Sequence, residues 1–507
     1  MPELSPIIIL HPGDDVAIAR VPLAPGDSLP GAAIKVMDPV PFGHKVALRD
    51  LASGAPVKRY NQIIGFASRP VKAGEHVHLQ NLAMSDFERD YAFCRDVRPT
   101  PKAAGRDAFK GIVRKDGRVA TRNYIGILSS VNCSATLVQM IADHFRLKGG
   151  LERYPNIDGV VAFPHPFGCA LAADGECMRA LRRVLGGYAR HVNFAGVVIA
   201  GLGCENNLIS DLMKDQALRE GKFLHTLNIQ DAGGTGKALA KAVAAIEDML
   251  PEADKVERVD VPASEIMLAL ECGGSCSYSG ITANPVLGAA SDLIVAQGGT
   301  VILAETPEIY GAEHLLTRRA VSREVGEKLV ARIRWWEEYT ARNQASMNNN
   351  PSAGNKEGGL TTILEKSLGA FAKGGSTNLT AVYEYAEPVR EKGLVFMDTP
   401  GYDPVAVTGQ FAGGANIMCF TTGRGSALGG KPSPSIKIAS NNVLWNHQKE
   451  DMDFNAGDII EGTATVEELG EKLYRLVLEV ASGKRTKSEE FGYGALEFAP
   501  WLIGVVM

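Results

Sequence analysis

Apolar and polar residues follow two different rhythms along this 507-residue chain, and the rhythm changes near residue 108. Residues 1–95 contain short alternating segments such as "DDVAIARV", "HKVALRDL" and "EHVHLQN", separated by the runs "APGDSLPG", "ASGAPV" and "KAGE". Short alternating runs bounded by Gly and Pro are typical of half-buried β-strands. The pattern therefore predicts a small, mostly β domain at 1–95.

Residues 96–107, "DVRPTPKAAGRD", lack periodicity and contain prolines and mixed charge, which indicates a linker. From 108 onward apolar strands alternate with helical stretches, as where "NYIGILSSV" precedes "SATLVQMIADHF" and "DGVVAF" precedes "ADGECMRALRRVL". Further strands are predicted at "FAGVVIAGL", "EIMLAL", "GTVILAE", "GLVFMD" and "NIMCFTT". Such alternation predicts parallel α/β sheets. The charged segment 251–264 divides them into lobes at 108–255 and 256–507.

The composition is that of a folded globular protein and argues against several functions. The hydrophobic fraction is 45%, the charged fraction is 22%, and the net charge is −5 with basic residues scattered along the chain. Neither nucleic acid nor an anionic membrane is an expected partner of such a chain, whereas a small molecule is. The N-terminus has no basic segment followed by a long apolar run, so a cytoplasmic location is expected.

Eight cysteines in a reducing compartment argue against a disulfide framework and leave buried thiols, a redox site or metal ligands. Cys133, Cys169, Cys204 and Cys272 each follow a predicted strand, at spacings of 36, 35 and 68 residues. Because the carboxyl ends of parallel strands form the ligand crevice, these four thiols could converge on a metal or an iron–sulfur cluster. The alternative is that each packs as a small hydrophobic residue. Packing is the interpretation for three others: Cys94, Cys177 and Cys419.

Other polar residues also follow predicted strands. His165, in "PHPFGC", is either an acid/base group or ligand, or a hydrogen-bonded loop histidine. Glu305 and Glu308, in "AETPEIYGAEHLL", could bind a hard metal or accept a proton, whereas Glu313 and His314 are expected to begin a helix.

Two glycine-rich stretches each carry one cation, Lys356 in "NNNPSAGNKEGG" and Arg424 in "TTGRG". Backbone N–H groups beside a cation suit a carboxylate or phosphate, although a surface turn is the simpler interpretation. "DAGGTGKA" does not make a P-loop, because Asp231 stands at the first glycine position and Ala238 replaces the metal-binding Ser or Thr. In the small domain, His44 follows a glycine, and His76 and His78 share one strand face. These histidines either point at a shared site or lie on a solvated surface, and from these segments alone we expect the surface.

The motifs "GIVRKDGRVATRNYIGILSSVNCSA", "HPFGC", "GLGCENN", "ECGGS", "SGITANP", "ETPEIYGAE", "NPSAGNKEGG" and "TTGRG" occur in this order. Through them the chain resembles the altronate dehydratase and galactarate dehydratase family over essentially its whole length. "DDVAIA", "GHKVAL" and "GEHVH" are similar to the family's small β-clip domain of the SAF type. The resemblance implies an α/β fold in which the β-clip domain precedes two Rossmann-like lobes with mostly parallel sheets.

The resemblance also implies a metal-dependent, typically iron-dependent, hydro-lyase that converts a sugar acid into a 2-keto-3-deoxy acid. "GEHVH", "GLGCENN" and "EIYGAE" look closer to the altronate branch than to the galactarate branch. The implied cofactor is iron, as Fe²⁺ or as an iron–sulfur cluster, with Mn²⁺ as an alternative, and a homodimer is expected. We assign metal binding to the four strand-end cysteines. The other assigned residues are catalytic His44, Lys45, His165 and Glu308, and substrate-binding Asn284, Asn355, Lys356, Arg424, Gly273 and Gly274.

Three departures from the family pattern bear on the substrate. Cys276 stands where the family usually has aspartate, "SALGG" follows "TTGRG" where Thr-Pro-Tyr-Gly is usual, and Phe167 replaces a frequent tyrosine. The loss of these polar groups predicts a substrate with fewer hydroxyl groups than altronate. A related β-elimination, such as loss of sulfite from a sulfonated hydroxy acid, is therefore an alternative. Two alternatives from other classes are an iron–sulfur or thiol redox protein and a nucleotide-dependent enzyme using "GGTGK".

Overall fold

The computed structural model describes residues 4–30 and 34–504, which form three units in sequence order. The first is a small β domain, and the other two are α/β units built on parallel sheets. The expected α/β class, with a β-rich small domain and parallel sheets after it, is confirmed. None of the helices in these residues combines the length and the apolar character that crossing a bilayer demands.

The small domain consists of short strands in two antiparallel sheets, with the orders β1-β2-β3-β6 and β4-β5-β7. The strands are β1 (Ile7–Ile8), β2 (Val16–Ala19), β3 (Lys45–Ala47), β4 (Pro56–Arg59), β5 (Gln62–Ala67), β6 (His76–Val77) and β7 (Leu82–Ala83). The pairing of β3 with β6 sets Val46 opposite His76, which brings two distant histidine-containing segments together. One apolar cluster of this domain includes Ala312 and Leu368 of the third unit, so the small domain is packed on that unit.

Residues 86–107, here called the strap, contain neither helix nor strand, and they lead from the small domain to the second unit. Backbone N–H groups of the strap donate to carbonyls of the third unit, from Cys94 to Thr317 at 3.1 Å and from Asp96 to Arg318 at 2.7 Å. The N–H of Ala103 donates to the carbonyl of Ala296 at 3.0 Å. The segment expected to be a linker is thus held along the surface of the third unit.

The second unit has a four-stranded parallel sheet in the order β11-β10-β12-β13 and a three-stranded antiparallel sheet in the order β14-β8-β9. Its strands are β8 (Ala108–Val113), β9 (Val119–Ala120), β10 (Tyr124–Ser129), β11 (Gly159–Phe163), β12 (Phe194–Gly201), β13 (Leu224–Asn228) and β14 (Arg258–Pro262). Its helices are α1 (Ala135–Lys148), α2 (Glu176–Ala189), α3 (Ile209–Asp215), α4 (Ile229–Ala232) and α5 (Thr235–Ala253). All residues of β10 are buried, as a strand covered by helices on both faces requires.

The third unit is a seven-stranded parallel sheet in the order β17-β18-β16-β15-β19-β20-β21. Its strands are β15 (Met267–Cys272), β16 (Thr300–Leu303), β17 (Leu379–Tyr383), β18 (Gly393–Met397), β19 (Ile417–Thr422), β20 (Ser435–Ala439) and β21 (Phe454–Asn455). The first helices are α6 (Ala283–Ala296), α7 (Glu313–Thr317), α8 (Arg323–Arg342), α9 (Ala353–Glu357) and α10 (Ile363–Phe371). The remaining helices are α11 (Asp403–Gly413), α12 (Asn442–His447), α13 (Val466–Ala481) and α14 (Lys487–Phe491).

The order of the strands in this sheet fixes the position of a crevice. From β15 the chain adds β16, β17 and β18 on one side, and then crosses to add β19, β20 and β21 on the other. In open parallel sheets the ligand crevice lies at such a switch of direction, outside the carboxyl ends of the two strands concerned. Those strands are β15 and β19, so the loops that begin at Gly273 and Gly423 border the crevice.

Candidate active site and metal centre

The loop after β15 forms the floor of the crevice and has little room for side chains. A Cβ atom at Gly273 would collide with the carboxylate of Asp403, and Gly274 has a φ of +58°. Helix α9 and the residues after it lie over this loop, because Asn355 Nδ2 donates to the carbonyl of Ser275 at 2.8 Å. The N–H of Ser277 also donates to the carbonyl of Gly358, at 2.9 Å. Gly273 and Gly274 thus let two backbone segments and a carboxylate approach closely.

Three histidines of the small domain meet above this covering segment. His44 Nδ1 lies 3.0 Å from His76 Nε2, and His44 Nε2 lies 3.1 Å from the carbonyl oxygen of Glu357. One nitrogen from each of His44, His76 and His78 lies within 4.8 Å of the others. His78 Nδ1 is buried and has no hydrogen-bond partner among the described residues. The surface position expected for His76 and His78 is therefore wrong, since both lie half-buried at a domain interface.

The electrostatics of these histidines favour the neutral imidazole. Burial lowers the pKa of all three, to about 4 for His76 and about 3 for His78. A neutral imidazole offers a lone pair, which is the form that binds metal ions. Converging nitrogen atoms, one of them without a partner, fit a divalent ion that accepts imidazole ligands, such as iron or zinc.

Lys45, next to His44, is committed to an ion cluster with Glu365 and Arg59. Lys45 Nζ lies 2.9 and 3.0 Å from the two carboxylate oxygens of Glu365 and 2.5 Å from the carbonyl oxygen of Gly359. Arg59 Nη1 donates to Glu365 at 2.7 Å, and all three side chains are almost fully buried. Since every proton of the ammonium group is engaged, Lys45 fastens the small domain to the third unit.

A second charged cluster lies at the carboxyl ends of β15 and β16, where Cys272, Glu305 and Glu308 are buried together. The Cys272 thiol lies 3.5 Å from Glu308 Oε2 and 3.7 Å from Glu305 Oε2. Lys366 Nζ donates to Glu308 at 2.6 Å, and Lys373 Nζ donates to Glu305 at 2.9 Å. Glu308, assigned from the sequence to catalysis, is thus paired with a lysine, and Cys272 lies among carboxylates with its pKa raised by burial.

This cluster has more carboxylates than cations. Glu271 and Asp403 join Glu305 and Glu308, and burial raises the pKa of Glu271 and Glu305. One oxygen of Glu271 and one of Glu305 are buried and find no hydrogen-bond partner in residues 4–30 and 34–504. Burial, with the neighbouring Glu305 and Glu308 charges, also raises the pKa of Asp403 to about 7. Asp403 is only partly buried and lies against Gly273, so it is a carboxyl group at the crevice that can exchange a proton near neutral pH.

The other residues assigned to substrate binding differ in their surroundings. Asn284 is buried, donates to the carbonyl of Gly369 at 2.9 Å and accepts from Thr421 Oγ1 at 2.6 Å, so its amide joins two segments within the third unit. Arg424 is exposed and pairs with the exposed Glu357 at 3.1 Å. Lys356 lies one residue before Glu357 and is partly exposed. The two cations, Lys356 and Arg424, therefore lie at the border of the crevice.

The four strand-end cysteines do not share one sheet. Cys133, Cys169 and Cys204 follow β10, β11 and β12 of the second unit and are exposed, whereas Cys272 ends β15 of the third unit and is buried. His165 lies at the edge that carries the three exposed cysteines. Its Nε2 lies 2.8 Å from the Ser129 carbonyl oxygen and its Nδ1 accepts from the Phe167 N–H, so its ring holds the loop in place.

The chain matches three family models that together cover nearly all of its length. Residues 5–85 match the altronate/galactarate dehydratase SAF domain, and residues 111–254 match the D-galactarate dehydratase/altronate hydrolase second domain. Residues 263–506 match the D-galactarate/altronate dehydratase C-terminal domain. An altronate dehydratase of Bacillus subtilis strain 168 is 34% identical over 495 residues, 96% of this chain and 97% of that protein. The chain belongs to the D-galactarate/altronate dehydratase family.

Two further relatives show the range of reactions within reach of this family's fold. The galactarate dehydratase (L-threo-forming) of Escherichia coli strain K12 is 35% identical over 497 residues, 96% of this chain and 94% of that protein. The (2R)-sulfolactate sulfo-lyase subunit beta of Chromohalobacter salexigens is 29% identical over 391 residues, 76% of this chain and 95% of that protein. Identity to the altronate and galactarate enzymes is nearly equal, so it does not rank these two substrates.

Within this family member, the departures from the dehydratase pattern lie at different places. Cys276 is buried in the floor loop of the crevice, where Ser279 Oγ donates to its sulfur at 3.8 Å and Asn441 Nδ2 lies 4.0 Å from it. Ser426 follows Arg424 beside the same crevice, whereas Phe167 lies at the carboxyl edge of the second unit's sheet. Two of the three departures thus belong to one crevice, and the third belongs to another sheet.

Proposed function

We propose that this protein, a sugar-acid dehydratase by its family, removes water from the C2–C3 diol of an aldonate or aldarate with the help of a divalent metal ion. The product is a 2-keto-3-deoxy acid. One observation carries this proposal: three imidazoles kept neutral by burial meet above the segment that covers the crevice of the third unit. The small domain then completes the active site.

His44, His76 and His78 would hold the ion, and iron(II) is our first choice because imidazole ligands suit it. A bound ion would supply a Lewis acid for the C3 hydroxyl, which is a poor leaving group by itself. The hydrogen bond between His44 and His76 would be replaced by bonds to the ion, and the buried Nδ1 of His78 or its Nε2 would gain a partner. Imidazole protonation would compete with this binding.

Asp403 is our candidate for the base that takes the C2 proton. A general base works best when its pKa is close to the working pH, and the pKa of Asp403 is raised to about 7. Its carboxylate lies against Gly273 in the floor loop, and Lys366 and Lys373 balance part of the nearby negative charge. The proton passes from C2 to Asp403, and the C3 hydroxyl leaves as hydroxide and takes a proton from solvent to become water. The enol then moves its hydroxyl proton to solvent and gains a proton at C3, which gives the 2-keto acid.

Lys356 and Arg424 are the candidates for binding the substrate carboxylate. Both are cations on loops that border the crevice, and within the described part of the chain Arg424 pairs only with the exposed Glu357. An exposed pair of this kind contributes little, about 0–1 kcal/mol, so a substrate carboxylate can replace Glu357 at low cost. A planar guanidinium binds a carboxylate through two parallel hydrogen bonds, which orients the acid with C2 towards the base.

Elimination of sulfite from a sulfonated hydroxy acid is the second candidate. The match to a sulfolactate sulfo-lyase subunit over 95% of its length favours it. The replacement of an expected aspartate by Cys276 in the floor loop also suits a substrate with fewer hydroxyl groups. The same base would take the C2 proton, and sulfite would leave in place of water.

A substrate panel tests the reaction directly. Protein purified and loaded anaerobically with ferrous iron would be incubated with altronate, galactarate, other aldonic and aldaric acids, and sulfolactate. A carbonyl reagent would detect 2-keto acid, and a sulfite assay would separate the two candidates. The proposal predicts that at least one sugar acid gives a 2-keto acid without sulfite. If sulfolactate is the only acid that reacts, and it releases sulfite, the second candidate replaces the dehydratase proposal.

The metal site has its own test. His78→Ala should lower the bound iron and the activity together, and His447→Ala is the matched control because His447 is exposed at the end of α12. Loss of a residue that hydrogen-bonds to a metal ligand weakens metal binding by roughly 10- to 100-fold. Loss of one of the three imidazole ligands themselves should weaken iron binding by more than this. Full activity of wild-type protein after exhaustive chelation would contradict the metal assignment.

A further inference from the structure

Three cysteines follow strands at the carboxyl edge of the second unit's sheet, which is not the sheet that borders the crevice of the third unit. Cys133 follows β10, Cys169 follows β11 and Cys204 follows β12, and these are adjacent strands in the order β11-β10-β12. The chain leaves β10 for β11 on one side and returns to add β12 on the other. This sheet therefore has its own switch of direction at β10, where a ligand crevice is expected.

Hydrogen bonds join the three cysteine loops to one another. The N–H of Asn132 donates to the carbonyl of Phe167 at 2.8 Å, which ties the Cys133 loop to the Cys169 loop. The N–H of Asn207 donates to the carbonyl of Gly168 at 2.9 Å, and the N–H of Ala170 donates to Asn206 Oδ1 at 3.0 Å. These last two bonds tie the Cys169 loop to the Cys204 loop, so the positions of the three thiols are coupled.

The exposure of these thiols separates them from the other cysteines. Cys133, Cys169 and Cys204 are exposed, Cys94 is intermediate, and the other four are buried. Free cysteine is among the most buried residue types, so packing does not explain three exposed thiols on three coupled loops. Ligand binding does explain them, because a ligand would cover the sulfur atoms.

The spacing of the sulfur atoms distinguishes a single ion from a cluster. Three thiolates on one tetrahedral ion, at about 2.3 Å each, must lie within about 4 Å of one another. Among the described residues, the three thiols do not form a group whose ligand atoms all lie within 4.8 Å. In an iron–sulfur cluster each cysteine binds a different iron atom, so a wider spacing is required.

We propose that Cys133, Cys169 and Cys204 bind a 4Fe–4S cluster that leaves one iron atom open to an external oxygen ligand. No fourth thiol of the chain lies at this edge, since Cys272 belongs to the other sheet. His165 is not available as a fourth ligand, because both of its ring nitrogens are engaged within the loop. Each thiol loses its proton to solvent as its sulfur binds iron. The co-reactants are ferrous iron, ferric iron and sulfide, and the ferric ions supply the oxidised half of the cluster's iron.

The surroundings suit such a cluster. Cys133 lies just before the N-terminal end of the 14-residue helix α1, where the unpaired backbone N–H groups of the first helical turn lie. Gln230 Nε2 lies 3.4 Å from Cys204 Sγ, and hydrogen bonds to sulfur are a usual feature of cluster sites. The nearby Glu205 is buried and accepts from Ser130 Oγ and from the Gly203 N–H, so its carboxylate is already occupied.

The test uses the whole protein, purified without oxygen and reconstituted with ferrous iron, ferric iron and sulfide. We expect about four sulfide per chain and about four iron beyond the ion proposed at the histidines, with the broad visible absorption of a 4Fe–4S cluster. One-electron oxidation by ferricyanide should release the open iron as Fe²⁺ and leave the EPR signal of a 3Fe–4S cluster. Cys133→Ser, Cys169→Ser and Cys204→Ser should each lose most of the iron and sulfide, whereas Cys94→Ser should keep both.

This inference does not depend on the proposed metal site at the histidines. His78→Ala should keep the cluster absorption and the sulfide content, although it loses activity, so the two proposals can fail separately. Wild-type protein that takes up no sulfide after reconstitution would overturn the inference, whatever the variants do. Full iron and sulfide in any of the three serine variants, with native circular dichroism, would overturn it as well.

Discussion

The variant Glu365→Gln tests whether one buried carboxylate holds the small domain in place. Glu365 accepts hydrogen bonds from Lys45 Nζ, Arg59 Nη1, and the backbone N–H and Oγ1 of Thr361, at distances of 2.7 to 3.0 Å. Glutamine has nearly the same shape but no charge, and its amide N–H groups would face other donors. The variant therefore leaves two buried cations without their counter-ion.

The magnitude follows from this arrangement. Removing one partner of a buried ion pair costs about 3–5 kcal/mol, because the remaining charge is buried without compensation. Lys45 can avoid being a buried unpaired charge by losing its proton. For an ordinary lysine pKa of about 10.4, and about 1.36 kcal/mol per pKa unit, deprotonation at pH 7 costs at most about 4.6 kcal/mol. Burial already lowers the pKa of Lys45, so the actual cost lies below that limit. We expect docking of the small domain to lose about 3 kcal/mol or more.

Hydrogen–deuterium exchange of the β3 and β6 segments measures this loss, because these strands carry the histidines at the interface. A loss of about 3 kcal/mol raises the opening constant, and with it the exchange rate, by more than about a hundredfold. Glu471→Gln is the matched control, since Glu471 makes an exposed pair with Arg475 on α13 and an exposed pair is worth about 0–1 kcal/mol. Equal exchange in the two variants would refute the structural role assigned to Glu365.

Three further predictions concern pH and substrate. Asp403→Asn should lower kcat by about 10²- to 10⁴-fold and abolish the rise of kcat/KM through pH about 7, and an unchanged pH profile would exclude Asp403 as the base. Since Lys45 and Arg59 overcome the effect of burial and lower the pKa of Glu365 to about 2, its contribution to stability is complete above its unfolded pKa of about 4.3. That contribution should be lost as the pH falls from about 4.3 towards 2, and exchange of β3 that stays constant over this range would contradict it. Cys276→Asp should raise kcat/KM for altronate relative to sulfolactate by at least about tenfold in a competition assay, and an unchanged ratio would remove Cys276 from specificity.

Much of the fold could be predicted because its strands are short apolar runs that end in glycine or polar loops. "NYIGILSSV", "EIMLAL" and "NIMCFTT" correspond to β10, β15 and β19. β20 was harder to recognise, because Lys437 lies in the middle of "SIKIA" and makes the run look half exposed. Lys437 is buried there, since its Nζ reaches the hydroxyl of Tyr493 at 2.7 Å.

The candidate site was harder to predict, because sequence spacing does not show which sheet edge a residue joins. Cys133, Cys169, Cys204 and Cys272 all follow strands, but the edges of the two parallel sheets have the same sequence pattern. The alternation of His76 and His78 places them on one face without saying what covers that face. The raised pKa of Asp403 depends on burial and on the charges of residues about a hundred positions earlier in the chain, so no local signal marks it.

The strap has a further consequence for how the enzyme works. Because residues 86–107 are hydrogen-bonded along the third unit, the small domain remains tethered beside the crevice even when its own contacts open. A tether of this kind sets a local effective concentration, in the millimolar range for a short flexible linker, and re-docking becomes an intramolecular event. Whenever the contacts of the small domain open, its return to the third unit is therefore first order and does not depend on the protein concentration.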